Sequence, residues 1–473
     1  MLRFLVLLVL WGCALSGVGE AANHYIRDGA SGDGSDWSNA CDDFAGSCAV
    51  ASMVRGDTYY VADGAYAART FNKAASSNLV ITIKKATASD HGTDTGWVST
   101  YGDGQAIFSS PIVFSTDDWV LDGATRDESN APLSWLTGSA YGFKISNNSN
   151  TAEQQVTFGA ALDNFTMRYV WAEGRTGAFS GSERRYSIDT ETAGTSTNLL
   201  FSKNLTTDSN QWYFLRNSNN TTIEYWAGDR LIGDEFNHGD AINCYFTADN
   251  VTIRWGIARD ACTDGCTGMI PIADAIGSGT KPTVLIYGNL FYDYGSTDGT
   301  AGFLGNASNE GSCTNCVVRN NTFVDGGSQF AANWGLQFGA GSGNTNQNNI
   351  WFEVNSQTPS FDLGSGATNN YNLFGTSATS TGTNAQVSVP TTKFVDFAGK
   401  NFKLASATDC GAAVSPPYDV DMLGNIRGAD GCVDRGAFEY CAGGCGGGGG
   451  SVGGSHPTGS PRMTPMLQLR RGN

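Results

Sequence analysis

A ten-residue pattern recurs eight times along the middle of this chain and limits the folds that it can adopt. Each copy begins with mostly β-branched, aromatic or polar residues, five copies have Asn at the sixth position, and five have an acidic residue at the tenth. The intervals between copies vary within the range typical of solenoids, in which each unit buries its apolar face by stacking on its neighbours. The copies start at Phe165, Leu199, Thr221, Val251, Val284, Cys316, Asn344 and Ala367; the asparagines are Asn204, Asn289, Asn321, Asn349 and Asn372; the acidic residues are Asp208, Asp260, Asp293, Asp325 and Glu353.

Each copy looks like a short strand followed by a turn, because Gly, Asn, Ser and Asp bound it. No sustained helical spacing of apolar residues separates the copies, which disfavours repeats that carry a helix. The pattern therefore predicts an all-β solenoid, a parallel β-helix, with equivalent positions of successive coils about 4.8 Å apart. The recurrent Asn suits a sharp corner, because Asn tolerates the left-handed conformation and its amide can bond the next Asn of the stack.

The two ends of the chain read differently from its middle. Residues 1–22 predict a signal peptide, with Arg3 before the short apolar run Phe4–Trp11. An alternative is a lipobox ending at Cys13, which would make the protein a lipoprotein. The coil should span residues 23–440, and residues 441–473 should form a Gly-rich linker and a disordered tail. We expect a secreted or cell-surface protein without an integral membrane span, because the segment after the linker contains no apolar stretch long enough to cross a bilayer.

The charge of the chain restricts its partners. With 28 basic and 45 acidic residues, the formal net charge is −17, which argues against nucleic-acid binding and against adhesion to an anionic membrane. A polyanionic substrate would need a local cationic groove or bound calcium.

Export makes disulfides the default state of the cysteines. Close spacing suggests the pairs Cys41–Cys48, Cys262–Cys266, Cys313–Cys316 and Cys441–Cys445, with Cys410–Cys432 near the C-terminus and Cys244 left over. The spacing of Cys262, Cys266, Cys313 and Cys316 is also compatible with a four-thiolate zinc site.

Two segments carry a family resemblance. The entry region, residues 24–130, contains GDTYYVADGAY, and the phrase Asp419–Tyr440 fits a closing pattern D-x-x-G-x-x-R…D-x-G-A-x-E. Both are similar to segments of secreted bacterial right-handed parallel β-helix proteins of the pectate-lyase-like superfamily. The resemblance implies a right-handed parallel β-helix, whereas fold alone does not specify an activity. The residues that match the closing pattern are Asp421, Gly424, Arg427, Asp434, Gly436, Ala437 and Glu439.

The densest set of titratable residues lies between positions 229 and 264. One alignment of adjacent coils stacks Arg230 on Arg254 and Asp240 on Asp264; we name it the short alignment. The ten-residue pattern instead aligns Thr221 with Val251, and we name this the repeat alignment. The two disagree, and the length of one loop decides between them.

This cluster suggests chemistry on a polysaccharide. A lyase needs a cation on the substrate carboxylate, a base and an acid. Arg254 or Arg259 could neutralise the carboxylate, and His238 could transfer the proton. Asp240, Asp260 and Asp264 could bind calcium through carboxylate oxygens. A glycoside hydrolase instead needs two carboxylates, which Asp240 could provide with Asp260 or Asp264.

Aromatic residues suggest sugar binding without catalysis. Trp226 and Trp255 lie within the repeats, where exposed rings could stack on sugars, although such rings often fill a coil interior. The function predicted is therefore a lyase or glycoside hydrolase acting on an extracellular polysaccharide. The alternatives are a non-catalytic protein that binds a cell-surface glycan and a structural surface protein. A monomer is expected in each case.

Overall fold

The computed structural model describes residues 21–146, 154–175, 186–232, 239–245, 248–261, 268–273, 280–281, 283–293, 302–305, 312–324, 334–339, 341–352, 359, 361–375 and 381–441. Three long parallel sheets, named A, B and C in the order in which each coil visits them, account for most of these residues. The chain passes from a strand of sheet A to one of sheet B and then one of sheet C before it returns to sheet A. The predicted parallel β-helix is confirmed.

Sheets A and B each contain twelve strands within the described residues, and sheet C contains eleven. Sheet A comprises Asn23–Ile26, Thr58–Val61, Ile81–Lys85, Trp119–Asp122, Asp163–Arg168, Ser196–Ser202, Ser218–Glu224, Asp249–Arg254, Val284–Tyr287, Val317–Arg319, Thr345–Gln347 and Thr368–Asn370. Sheet B comprises Gly64–Tyr66, Ala106–Ser109, Phe143–Ser146, Val170–Glu173, Leu205–Ser209, Ala227–Leu231, Ile257–Ala261, Leu290–Tyr292, Thr322–Val324, Ile350–Phe352, Leu373–Gly375 and Gln386–Val389. Sheet C comprises Arg69–Phe71, Ile112–Phe114, Gln154–Phe158, Tyr186–Asp189, Gln211–Arg216, Asp240–Tyr245, Gly268–Ile270, Ile272–Ala273, Gly302–Gly305, Trp334–Gln337 and Phe361–Asp362.

The remaining regular structure is short. Thr280–Lys281 pairs with Ser312–Cys313 in parallel, and Phe394–Asp396 pairs with Asn401–Leu404 in antiparallel orientation. In the described part of the chain the helices are single 3₁₀ turns, none of them long and apolar enough to cross a membrane. They are Gly46–Cys48, Val50–Ser52, Ser99–Tyr101, Leu133–Leu136, Gly138–Ala140 and Thr391–Lys393.

The ten-residue pattern marks the corner between sheets A and B. The first residues of five successive copies are partners across sheet A, so that Phe165 lies beside Leu199 and the stack continues through Thr221, Val251 and Val284. Alternate residues point inward and form a core of buried aliphatic and aromatic side chains that runs the length of the coil.

The predicted asparagine column forms a buried ladder. The Nδ2 of Asn289 donates to Oδ1 of Asn321 at 3.0 Å, Asn321 repeats this bond to Asn349 at 3.0 Å, and Asn349 donates to Asn372 at 3.4 Å. The stacking prediction is confirmed, but the expected backbone role is wrong by one position. The left-handed residue is the one before each ladder Asn, such as Asn320 with φ 53° or Gly288 with φ 67°. The ladder Asn is thus needed for its side-chain amide rather than for its backbone conformation.

Trp226 occupies the sixth position of its repeat and therefore lies in the same column. Its ring is fully buried, and its Nε1 donates to Oδ1 of Asn289 at 3.2 Å, two coils away. The coil between them has Gly256, where a Cβ would lie 2.0 Å from the indole nitrogen. The indole N–H therefore takes the place of an asparagine amide, and the glycine leaves the space for the ring.

Three of the predicted disulfides are formed, namely Cys41–Cys48, Cys313–Cys316 and Cys410–Cys432. The Cys313–Cys316 bond takes two of the four thiolates that the zinc alternative requires. Cys441 is also disulfide-bonded, and Cys244 is buried in the core. Cys262, Cys266 and Cys445 lie outside the described residues.

The closing motif forms a buried polar network that ties the C-terminal segment to the coil. Asp421 accepts hydrogen bonds from the backbone N–H of Leu423 and Glu439, and Glu439 accepts from Gly428 and Asp434. The guanidinium of Arg427 donates to the carbonyl of Ala437 at 2.9 Å. Ala437 in turn donates to the hydroxyl of Thr322, at the start of a sheet B strand, at 2.9 Å. The motif therefore has a structural role, because its hydrogen bonds hold the C-terminal segment against the coil.

Candidate functional site

The strand register decides between the two alignments of the titratable residues. Glu224 is the partner of Arg254 and Asp229 is the partner of Arg259, as the repeat alignment requires. The short alignment, which stacked Arg230 on Arg254, is wrong. Residue 210 alone connects strands Leu205–Ser209 and Gln211–Arg216, whereas residues 232–239 connect Ala227–Leu231 to Asp240–Tyr245. The longer connection accounts for the shift in numbering.

A row of alternating charge lies at the carboxyl ends of three sheet B strands. We name it the Arg–Asp row; it consists of Asp208, Asp229, Arg230, Arg259 and Asp260. Arg230 donates to both carboxylate oxygens of Asp208, at 2.7 and 2.6 Å, and to Asp229 at 2.6 Å. Arg259 donates to both oxygens of Asp229, at 2.9 and 3.0 Å. Two guanidinium groups thus share one carboxylate.

The local backbone places these side chains. Asp208, Arg230 and Asp260 have left-handed conformations with φ of 58°, 56° and 44°. Each directs the chain from sheet B toward sheet C. A left-handed arginine is sterically unfavourable, and such backbone strain is often found at functional sites.

The row combines buried carboxylates with accessible cations. The side chains of Asp208 and Asp229 are 3% and 1% exposed, whereas those of Arg230 and Arg259 are 46% and 37% exposed. The hydrogen bond to Asp229 raises the pKa of Arg259 above its ordinary value. Partial desolvation, followed by repulsion from Asp229, raises the pKa of Asp260.

A second group of polar side chains lies near the starts of two adjacent strands of sheet C, Gln211–Arg216 and Asp240–Tyr245. We name it the Asp240 cluster; it consists of Gln211, Asp240 and Asn243. The amide nitrogens of Gln211 and Asn243 donate to the same oxygen, Oδ2 of Asp240, at 3.2 and 3.1 Å. The amide oxygens of Gln211 and Asn243 are buried and have no hydrogen-bond partner among the residues that the structure describes.

These two amide oxygens provide a test of the calcium prediction. A rotation of each amide group by about 180° would turn its oxygen toward the Asp240 carboxylate, an arrangement that a bound cation would stabilise. Carboxylate and amide oxygens are donor types that calcium prefers, but in the structure both amides donate hydrogen bonds to Asp240. Within the described ranges no three His, Cys, Asp or Glu side chains converge on a metal position.

The other predicted site residues are distributed around the coil. His238 and Asp264 lie outside the described residues. Arg254 ends a sheet A strand, where it bonds Glu224 and the Tyr287 hydroxyl, and it does not contact the Arg–Asp row through any of these bonds. Trp255 follows it at the corner between sheets A and B and is 8% exposed. Trp226 is fully buried, so its ring offers no surface to a sugar.

Arg259, Asp240 and Asp260 are predicted site residues. No role was predicted for four of their neighbours, namely Asp208, Asp229, Gln211 and Asn243. The signal for Asp229 was present, because the repeat alignment places it opposite Arg259. No comparable signal existed for Gln211 and Asn243, since sheet C lies outside the ten-residue pattern.

Comparisons with known proteins give distant structural similarities at low sequence identity. No protein-family model and no curated protein matches the sequence. The structure of pectate lyase Pel9A is similar over 90% of this chain and 98% of that chain, with 13% identity and a TM-score of 0.47. The PL6 family alginate lyase AlyGC is similar over 77% of this chain and 53% of its own, with 11% identity and a TM-score of 0.30. The PL6 family polysaccharide lyase Pedsa3628 from Pseudopedobacter saltans is similar over 72% of this chain and 90% of its own, with 12% identity and a TM-score of 0.27. By its own three parallel sheets this chain is a parallel β-helix.

Proposed function

We propose that this protein is an exported lyase that acts on a carboxylate-bearing polysaccharide at the corner between sheets B and C. The observation that carries the proposal is the Arg–Asp row, in which two accessible guanidinium groups share the buried Asp229 carboxylate. Guanidinium groups bind carboxylates in two-pronged geometry, so Arg230 and Arg259 are suited to hold the acid group of a uronate sugar. The row contains three aspartates and two arginines, but the Asp208 and Asp229 carboxylates are buried, so the two guanidinium groups that pair with them are what these pairs present to solvent.

The chemistry of elimination assigns roles to the remaining groups. A base removes the proton next to the sugar carboxylate, the electron pair forms a carbon–carbon double bond, and the glycosidic C–O bond breaks as its oxygen takes up a proton. Neutralising the carboxylate makes that proton more acidic. Asp260, whose pKa is raised, and His238, which stands two positions before Asp240, are the candidates for the two proton transfers.

Calcium has a place in this proposal at the Asp240 cluster. Gln211, Asp240 and Asn243 would hold the ion through oxygen atoms, and the ion would add positive charge at the substrate carboxylate. The arginines perform the same neutralisation from the protein side, so the role of Arg259 does not depend on the ion.

A non-catalytic glycan-binding protein is the second candidate. The pairing within the Arg–Asp row favours a protein without catalysis. Carboxylates that are already neutralised by arginines are common in networks whose role is structural. Glycoside hydrolysis by Asp240 and Asp260 is a further variant of the enzymatic proposal. In either case export is supported by the disulfides, and we propose a monomer that encounters its glycan outside the cell.

Turnover assays test the proposal directly. The purified protein is incubated with polyuronates and with neutral glycans, following both the absorbance of unsaturated products and the release of reducing ends. Arg259→Ala should lower the rate on an active polyuronate by roughly 10²-fold or more, since transition-state charge stabilisation by one group is commonly of this size. Lys393→Ala is the matched loss of one positive charge, because among the described residues the Lys393 ammonium donates to the Ser406 hydroxyl and the Ala407 carbonyl, both in the C-terminal segment. Full activity of the Arg259 variant would contradict the proposed site, and reducing ends without unsaturated products would favour hydrolysis.

A further inference from the structure

The guanidinium of Arg319 has no anionic partner within the described part of the chain. Its side chain forms no hydrogen bond or ion pair there, and its Nε is buried without a partner among the described residues. Burial lowers the pKa of Arg319, and Tyr418 acts in the opposite direction. A partly desolvated cation without a counter-charge is unfavourable in a folded protein.

Arg319 belongs to a continuous polar column on the outer face of sheet A. The strand register places it beside Tyr287, and Tyr287 beside Arg254. Arg254 donates to Glu224 and to the Tyr287 hydroxyl, both at 2.9 Å. Two coils separate the two arginines, which corresponds to about 10 Å.

Aromatic rings support both guanidinium groups. Arg254 lies 4.1 Å from the ring centre of Trp255, and Arg319 lies 4.8 Å from that of Tyr418. The rings themselves are in contact, with centroids 4.9 Å apart for Tyr225 and Trp255, 6.0 Å for Trp255 and Tyr287, and 4.8 Å for Tyr287 and Tyr418. We name this set the sheet A strip; its members are Tyr225, Arg254, Trp255, Tyr287, Arg319 and Tyr418.

Tyr225 and Trp255 adopt left-handed conformations with φ of 49° and 54° at the corner between sheets A and B. The same corner position is left-handed in other coils, at Tyr169, Lys203 and Tyr371, so the conformation is a general property of this corner and the strip follows it.

We propose that the sheet A strip is a second polysaccharide-binding site, in which Arg319 binds a carboxylate of the glycan beside the half-buried Tyr418 ring, while the buried Trp255 and Tyr287 rings form the packed base of the site. This site lies at the corner between sheets A and B, away from the Arg–Asp row. A carboxylate satisfies the unpartnered guanidinium in two-pronged geometry, and ring stacking keeps that guanidinium flat and weakly hydrated. The choice of a carboxylate-bearing polysaccharide rests on the proposed function; the binding itself requires no chemistry at the other corner.

Native electrophoresis in gels that contain polygalacturonate, alginate or a neutral glucan tests the proposal. Retardation by a polyuronate measures the dissociation constant without any need for turnover. Arg319→Ala should raise this constant roughly tenfold, the loss expected for a charge-assisted hydrogen bond, and Arg319→Lys should restore part of the affinity. Lys393→Ala should leave the constant unchanged, because it removes the same charge elsewhere.

The outcomes separate this inference from the proposed function. Arg259→Ala should lower turnover by the same roughly 10²-fold or more while leaving retardation dependent on Arg319. A wild-type protein that shows no turnover, but is retarded in an Arg319-dependent way, would remove the lyase and retain the second site. Equal retardation of wild type and Arg319→Ala would overturn the inference. The same holds if no polyuronate retards the wild type, or if sodium sulfate at low millimolar concentration displaces the polyuronate as effectively as a uronate oligosaccharide does.

Discussion

A buried asparagine side chain in this coil bonds groups from three successive coils at once. Oδ1 of Asn321 accepts hydrogen bonds from the backbone and side-chain nitrogens of Asn289, both at 3.0 Å. Its Nδ2 donates to the carbonyl of Ile286 at 2.9 Å and to Oδ1 of Asn349 at 3.0 Å. Because these groups are buried, a residue without the amide would leave several of them without partners.

We therefore expect Asn321→Ala to lower the free energy of unfolding by about 2–4 kcal/mol, the size typical of a broken buried network. Chemical denaturation followed by circular dichroism measures the change. The matched control is Asn220→Gly, because Asn220 is an exposed asparagine with a φ of 54° that glycine adopts readily. Its side-chain bond to Asn198 is 3.4 Å long, and its loss should change stability by less than about 1 kcal/mol. Equal losses in both variants would show that the buried ladder has no special role.

For single residues, the repeat register predicts both the asparagine ladder and which side chains point inward. The sixth repeat position identifies the ladder asparagines, and it also identifies Trp226 as an inward residue, because Trp226 holds that position. Reading it as a sugar-binding ring overlooked its register. The orphan amide oxygens of Gln211 and Asn243 could not be foreseen, since they depend on how two side chains meet across adjacent strands.

The C-terminal segment, which contains the strands Phe394–Asp396 and Asn401–Leu404, packs over the outer face of sheet B. Phe394 and Phe402 pack with the outward-facing residues Tyr292 and Phe352 in one apolar cluster. The buried network around Arg427 and Glu439 holds the end of this segment. Burial raises the pKa of Glu439 from 4.5 to about 7.

This pKa predicts a pH dependence of stability. Between pH 4.5 and 7 the folded protein holds a proton on Glu439 that the unfolded chain releases, so the free energy of unfolding should fall as the pH rises through this window. The total decrease is about 3 kcal/mol for a shift of this size. Denaturation of wild type and Glu439→Gln at several pH values isolates it, because the difference between them should change across the window. If the difference in unfolding free energy between wild type and Glu439→Gln stayed constant across this window, Glu439 would have the same pKa in the folded and unfolded states.

Elements differ in how well the sequence predicts them. The repeat locates the sheet A strands correctly, but where a turn was predicted after each strand the chain bends at a corner and starts a sheet B strand, and the sheet C strands lie outside the pattern. The connections between sheets B and C vary from the single residue after Ser209 to the segment 232–239 after Leu231. The ten-residue pattern does not encode the length of these connections, so the sequence alone does not decide between the short alignment and the repeat alignment.

The whole molecule is strongly acidic, with a net charge of −17 at pH 7 and a sequence pI near 4.5. Repulsion among like charges destabilises a compact state, and salt screens it over distances beyond about 10 Å at 0.1 M. Raising sodium chloride from about 0.02 to 0.2 M at pH 7 should therefore increase the melting temperature by a few degrees. Calorimetry near pH 4.5 provides the control, because the net charge is small there and the effect should vanish. A lower melting temperature at pH 7 in added salt would indicate that ion pairs such as those of the Arg–Asp row outweigh the general repulsion.

The asparagine ladder also bears on how such a chain can change in length. Each rung donates to the next rung in the same direction along the coil, from Asn289 to Asn321 to Asn349. A duplicated coil would inherit both an acceptor for the rung before it and a donor for the rung after it, and so would create no orphaned group. Tandem duplication or loss of whole coils is thus a conservative genetic event for this architecture, whereas gain or loss of a fraction of a coil would interrupt the ladder.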